Sequence, residues 1–575
     1  MRKTILSLCL AFLATASWAA PAKKGLTRVI RLTDGTELTV ELKGDEFLHY
    51  YQAADGKCYT DNGNGTFVPF DLETGKANAM AKRAAMQQAS QKMKAKPLRS
   101  MQQNAGPNKA FGDGTGYYGK KKGLIILVEF PNKKFKSGHD NEFYTKLANK
   151  ENYVEGVFKG SVRDYYYAQS NGQFELTFDV IGPITAPENY NYYGQNTAAG
   201  SDAHVGTLVS WACKSVKDQV DFNDYDWDGD GYADQVFVLY AGPGENNTNN
   251  SDLIWPHMFY LSNSDIGQAV YINGVYVDTY ACSCELNGYG TADGMGTICH
   301  EFSHCLGFAD MYDTSANGGN YGMGFYDVMS AGSYNGGGFT PCNYTAYERI
   351  YAGWTEPIVL DEPATIKAMK SSEDYGRPFI LYNDKHPDEF YTLENRQKKG
   401  WDAELYGSGL MITHVDYDQT KWGINQVNAS ASDHQRCTIF HADNDADGTV
   451  LESIKNDLYP YMSGGVPLND ELTDDSRPAA KLYNKNADGT KYMGKPITAI
   501  KKNVNGTISF DVMGGNEDNI LDNTTSETAI KDIKADTRKA ANRVYSIDGR
   551  YLGDDINALG KGLYIVGGKK ELKTK

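Results

Sequence analysis

Beyond its first twenty residues the chain has no apolar run long enough to cross a bilayer. It also lacks a long basic stripe in its globular part. With 57 Lys and Arg against 73 Asp and Glu, the formal net charge is -16. That balance argues against nucleic-acid binding, which needs a clustered positive field, and suits solubility and Ca²⁺ binding. Cysteine is sparse, with nine in 575 residues and no CxxC pair. Cys282 and Cys284 sit too close together and lack a matching second pair, which argues against a structural zinc knuckle.

The first twenty residues are the exception to the missing apolar run. Arg2 and Lys3 precede an apolar stretch from Ile5 to Leu13, and the small residues Ser17 and Ala19 follow. This predicts a secretory signal peptide over 1–19, hence an exported protein at the cell surface or in the medium. The eight cysteines left after cleavage can pair in an oxidising compartment, with a connectivity the spacing does not define.

What the chain has in quantity is glycine (60) and tyrosine (40), which points to turns and aromatic, loop-rich sheets. Its length predicts two to four domains. Residues from about Gly25 to Leu72 alternate polar and apolar between DG and NG turns, predicting a small β domain. A stretch rich in Ala, Gln, Lys and Arg without acidic residues follows, either a solvated helix or a flexible linker open to trypsin-like cleavage. Together, 20–105 has the layout of a propeptide and basic linker.

Two continuous apolar runs, KKGLIILVEF (121–130) and DQVFVLYAG (234–242), read as strands buried on both faces. They place an α/β catalytic domain over 110–355. Strand-like runs such as EFYTLENR and GLMITHVDY predict a β-rich extension over 356–513. Residues 514–526 read as a polar linker, and 527–575 as a small C-terminal β module.

The chemistry lies in HEFSHCLGFADMYD, His300 to Asp313. Residues 292–306 are consistent with a helix closed by Gly307. His300 and His304, four apart, then share one face and can meet one Zn²⁺ at about 2.0–2.1 Å each. Glu301, one step round, can reach a zinc-bound water as general base. After the turn the chain can return and offer Asp310 as third ligand, with Asp313 a weaker competitor. The pattern resembles that of metzincins, which most often carry His rather than Asp at the last position. Downstream, YDVMSAGSYN places Met329 in a turn resembling the metzincin Met-turn, and Tyr334 is a candidate to stabilise the oxyanion.

These motifs, together with GSVRDYYYAQSNGQFELTFDV, YDWDGDGYADQVFVLYAGPGE, IWPH and YTLENRQKKGWDAELYGSGLMITHVDYD, resemble peptidase family M6, the immune-inhibitor-A type of secreted metalloprotease. The resemblance covers roughly 121–513. It implies an exported zinc endopeptidase made as a zymogen, acting on protein substrates. Ser303 stands where members of that family often have Gly, off the metal-facing side.

A second motif, DYDWDGDGYADQ, matches positions 1, 3, 5, 6 and 9 of an EF-hand-like loop with Asp226, Asp228, Asp230, Gly231 and Asp234. Phe237 stands at position twelve, so structural Ca²⁺ here would need an oxygen from elsewhere. Asp443, Asp445 and Asp447 repeat the spacing with fewer ligands. Two latency devices remain open, a Cys58 thiolate on the zinc or a carboxylate such as Asp45 or Asp55. The last fifty residues, with VYSIDGRYLG and GKGLYIVGGKK, resemble the sorting tails of type IX secretion cargo, implying that machinery as a partner.

The expected fold class is therefore α+β or α/β. It comprises a metzincin-like zinc protease domain, a β-rich extension, a small N-terminal β prodomain and a small C-terminal β module. The expected function is peptide-bond hydrolysis by a Glu-activated zinc-bound water. The alternative is a calcium-stabilised cell-surface binding protein with an inactive protease fold, against which Glu301 argues, since a binding module needs no base beside a metal.

Overall fold

A computed structural model of the chain describes residues 27–94 apart from 46, 63 and 64; 117–524 apart from 198–200, 316–319, 430–433 and 449; and four short strands between 544 and 573. The expected signal peptide and the end of the basic linker lie outside the described residues. The chain divides into two compact units, Met1–Asp522 and Asn523–Lys575.

The N-terminal strands, from Thr27–Arg31 to Phe67–Pro69, form one antiparallel five-stranded meander. Their alternation turns Ile30, Val40, Leu42, Tyr51, Tyr59 and Phe67 to one face, and Trp255 of the larger region completes that cluster. The Ala- and Lys-rich stretch after them is a helix, Leu72–Lys94, as its strong helix formers favour.

The central sheet has five strands in the order 257–260, 279–286, 236–243, 119–129, 174–185. All pair in parallel except the edge strand His257–Tyr260, which is antiparallel to its neighbour. Leu124 to Val128 are all buried, and the strand period of two explains how. Leu124, Ile126 and Val128 face the helix Val205–Val216 in one core, while Ile125 and Leu127 face a second core that holds the helices Val162–Gln169 and Gly296–Cys305.

The β-rich extension is not a separate body. Its five-stranded sheet includes Glu389–Arg396 and Gly409–Asp416. One face of that sheet sends Ile380, Phe390, Met411 and Val415 into the core of the Gly296–Cys305 helix, while the other closes on a four-stranded sheet. The buried Arg396 donates from Nε to Asp402 at 2.6 Å and from Nη1 to the Tyr326 carbonyl at 2.9 Å, tying the layers together. The stretch expected as a linker contributes a strand, Ile520–Leu521, parallel to Ala364–Met369; its apolar pair fits an edge the sheet leaves open.

In the second unit, four strands pair antiparallel in the order 551–553, 544–545, 562–566, 569–573. Cys58, Cys213, Cys282, Cys284, Cys299, Cys305, Cys342 and Cys437 are all free thiols, six of them buried. They act as small apolar side chains rather than as a disulfide framework. Among the described residues, no helix is long and apolar enough to cross a membrane.

Candidate metal centre

The helix carrying the two histidines runs Gly296–Cys305, shorter at its start than the sequence pattern suggests. The reason is a close approach. A Cβ on Gly296 would lie 1.8 Å from the Ser333 carbonyl oxygen, and one on Gly294, at φ +82°, would lie 2.5 Å from Gly338. The segment Ala331–Gly338 thus crosses directly over the helix N-terminus, and Tyr334 is buried within it. At the other end Gly307 adopts φ +86° and donates to the His304 carbonyl, while Phe308 N–H returns to Ser303, an αL ending that reverses the chain.

That reversal delivers Asp310. The imidazoles of His300 and His304 stand edge to face, centroids 4.9 Å apart. His300 Nδ1 lies 2.8 Å from the Val328 carbonyl oxygen and His304 Nδ1 2.8 Å from that of Phe308. A carbonyl can only accept, so each Nδ1 carries a proton, which leaves Nε2 as the ring nitrogen open to a metal. Both Nε2 atoms converge on Asp310 Oδ1, at 3.2 Å from His300 and 3.3 Å from His304. His300 Nε2 and Asp310 Oδ1 are buried without a hydrogen-bond partner.

These distances fit a metal. Tetrahedral ligands at about 2.0–2.1 Å from zinc stand roughly 3.3–3.4 Å apart, and two neutral imidazoles with one carboxylate are a donor set zinc accepts. Protons compete for the same atoms. Burial works against charging His304, yet the Asp310 carboxylate raises its pKa to about 10; burial also opposes the Asp310 charge, which the two histidines nonetheless hold below the usual carboxylate range.

Glu301, next on the helix, is buried beside the group. Burial raises its pKa to about 7, against the His300 and His304 charges and the Met258 N–H that donates to it. Met258 belongs to the antiparallel edge strand of the central sheet. Below the histidines, Met329 is buried; its carbonyl accepts from Met311 N–H at 2.8 Å and its N–H donates to Asp327 at 3.0 Å. The turn that holds Met329 is thereby the one whose Val328 carbonyl orients His300. Asp313 takes other partners, the N–H groups of Ser315 and Asn320 at 2.8 and 2.9 Å.

One residue of this neighbourhood has no motif to announce it. Asn425 donates through Nδ2 to Asp310 Oδ2 at 2.5 Å and accepts from Asp310 N–H at 2.7 Å. It comes from the β-rich extension, in a run with no periodicity that would mark it. Only its left-handed backbone, φ +54°, has a sequence correlate, since Asn tolerates that region.

Asp226, Asp228 and Asp230 each offer a carboxylate oxygen within 4.8 Å of the others. Asp226 also accepts from the N–H groups of Gly229, Asp230 and Gly231. Asp234 is not in that group; its carboxylate accepts from Trp227 N–H at 2.5 Å, and burial first raises its pKa to about 7. Asp443, Asp445 and Asp447 form no such group among the described residues.

The N-terminal sheet and helix rest on this half of the molecule. His49 stacks on Trp255 at 4.7 Å and lies 3.1 Å from Asn196 Oδ1 through Nε2. Phe47 packs against Phe259 of the edge strand. Arg83 is buried, pairs with Asp45 at 2.5 Å, and donates to the carbonyls of Asn425 at 3.1 Å and Thr314 at 3.4 Å. The two side chains considered for a thiolate or carboxylate switch besides Asp45 are also engaged locally. Cys58 contacts Gly56 and Gln52, and Asp55 pairs with Lys57.

Residues 113–354 match the model of a family described as Immune inhibitor A peptidase M6, catalytic domain. Pre-pro-metalloprotease PrtV of Vibrio cholerae serotype O1 is 24% identical over 299 residues, 45% of this chain and 32% of its own length. Immune inhibitor A of Bacillus thuringiensis subsp. alesti is 27% identical over 292 residues, 42% of each chain. The chain therefore spans well under half the length of these curated relatives. His300, Glu301, His304 and Asp310 all fall within the matched stretch, and the family supported for that part of the chain is peptidase M6.

Proposed function

We propose that the chain is an exported, zinc-dependent endopeptidase with a metzincin-like site, made as a zymogen. The observation that carries this reading is the convergence of two Nε2 atoms on Asp310 Oδ1 with a buried carboxyl, Glu301, beside them. The names of the relatives agree with it, one of them being a pre-pro-metalloprotease.

His300, His304 and Asp310 would hold the metal. Zinc, when bound, supplies Lewis acidity that polarises the scissile carbonyl and lowers the pKa of water. Glu301, on the same helix between the two histidines, takes the proton from the attacking water and returns it to the leaving amine. Tyr334 donates to the developing oxyanion. Substrates are proteins or peptides.

The docking of the N-terminal sheet and helix against Trp255, Phe259 and Asn425 supports latency by coverage. Asp226, Asp228 and Asp230, with Asp234 close by, hold a structural Ca²⁺. The leader directs export, and the C-terminal strands serve as a type IX sorting tail.

The test is hydrolysis of a labelled denatured protein before and after limited trypsin treatment, with Glu301→Ala, Asp310→Ala and a chelator as comparisons. Activity should appear after nicking and vanish with chelator and in Glu301→Ala, while Asp310→Ala loses zinc. Stoichiometric zinc without hydrolysis under any activation would instead fit a binding protein.

A further inference from the structure

Asp310 lies in a segment without helix or strand, Phe308 to Thr314, so no regular backbone ladder fixes its carboxylate. Its orientation is set from 115 residues away. The Asn425 side-chain amide closes a two-bond ring with it: Oδ1 takes the Asp310 N–H at 2.7 Å and Nδ2 gives to Asp310 Oδ2 at 2.5 Å. Asp310 Oδ1 is the oxygen left over, and it is the one facing both imidazole nitrogens.

Asn425 is itself pinned. Its N–H donates to the Trp422 carbonyl at 3.1 Å. Its carbonyl accepts from the Thr314 hydroxyl at 2.8 Å, closing a loop back onto the segment that carries Asp310, and from Arg83 at 3.1 Å. The Thr314 bond involves no residue of the N-terminal helix.

We infer that Asn425 is a positioning residue for the third metal ligand: it occupies one carboxylate oxygen of Asp310 and presents the other to the metal. The inference rests on reading His300, His304 and Asp310 as the metal site. Only an amide offers a donor and an acceptor at this spacing, on a residue at ease with φ +54°. Aspartate would replace the donor with a second negative charge, and glycine would keep the backbone while deleting the amide. The consequence is that the segment matched to the catalytic family, 113–354, does not contain everything its own metal site uses. The extension, packed into the same core, supplies the rest.

The experiment uses the full chain carrying Glu301→Ala, which prevents self-digestion and leaves the ligands intact. Zinc affinity is measured by competition with a chromophoric chelator, and ligand geometry by the visible spectrum of the cobalt-substituted protein. Asn425→Gly and Asn425→Asp are each expected to weaken zinc binding about 10–100-fold, the usual effect of losing a partner that orients a ligand, and to shift the cobalt bands. Thr314→Val loosens only the anchor and should give a smaller loss in the same direction. Melting in excess chelator monitors the fold separately; a purely structural Asn425 would lower the melting temperature in Asn425→Gly but leave the cobalt spectrum of the folded protein unmoved. Unchanged zinc affinity and unchanged cobalt bands in both Asn425 variants would overturn the inference. Absence of stoichiometric zinc with Asn425 intact, or zinc binding indifferent to His300→Ala, would overturn the metal-site reading instead.

Discussion

Arg83 of the N-terminal helix donates to the backbone carbonyl of Asn425 at 3.1 Å, across 342 residues of sequence. The same guanidinium is paired with buried Asp45, so the contact joins the N-terminal sheet, its helix and the loop beside Asp310 at one point. Removing one partner of a buried ion pair typically costs about 3–5 kcal/mol. Arg83→Ala should therefore loosen the docked segment. Trypsin should nick the helix Leu72–Lys94 faster, and hydrolysis should appear before any nicking. An unchanged nicking rate with unchanged latency would show that this point does not hold the segment down.

Asp293 gives a pH dependence of known sign. It is buried ahead of the histidine helix and accepts from the Thr297 hydroxyl at 2.7 Å. Burial raises its pKa from 3.8 to about 7, against its hydrogen bonds with Thr297 and Cys284. Because the folded state holds this proton more tightly than the unfolded chain, its contribution to stability is present below about pH 4 and is lost as pH rises to about 7. Asn at this position has no proton to lose. Asp293→Asn should gain on the parent protein between pH 4 and 7, by roughly 2–4 kcal/mol at the upper end. Denaturant unfolding at pH 4.5 and pH 8, at about those two settings, compares them, and a difference independent of pH would refute the assignment.

The acidic loop makes a prediction about calcium. If Asp226, Asp228 and Asp230 bind it, Ca²⁺ at a hundredfold excess over its dissociation constant stabilises the fold by about 2.7 kcal/mol. The double variant Asp228→Asn with Asp230→Asn should lose the rise in melting temperature that Ca²⁺ gives the parent, while zinc content stays constant. A rise that survives the double substitution places the calcium elsewhere.

Gly296 tests the crossing over the helix. Its Cβ would meet the Ser333 carbonyl oxygen at 1.8 Å, a backbone atom that cannot rotate away. Gly296→Ala should destabilise by about 1–3 kcal/mol or more, although alanine favours helices. A variant as stable as the parent in urea would mean the two segments can separate at little cost.

Much of the candidate site's geometry was legible in the chain itself. Two histidines four apart on a helix must share a face, because 3.6 residues make a turn, and a glycine after the second must let the chain reverse. That geometry holds whatever the rest of the protein does, and the two buried runs at 124–128 and 236–240 announced a sheet covered on both sides for an equally local reason.

Other features had no local cause. The helix starts four residues late because another segment lies across Gly296, and six of the eight free thiols are taken up as buried side chains. The extension shares a core with the catalytic region since its sheet has two apolar faces and needs a partner for each. Sequence alone determined which side chains have the chemistry to bind a metal; which oxygen of Asp310 faces the two imidazoles was decided by the tertiary structure. Asn425, 115 residues downstream, reaches Asp310 only when two sheets have packed, and no spacing rule spans that distance.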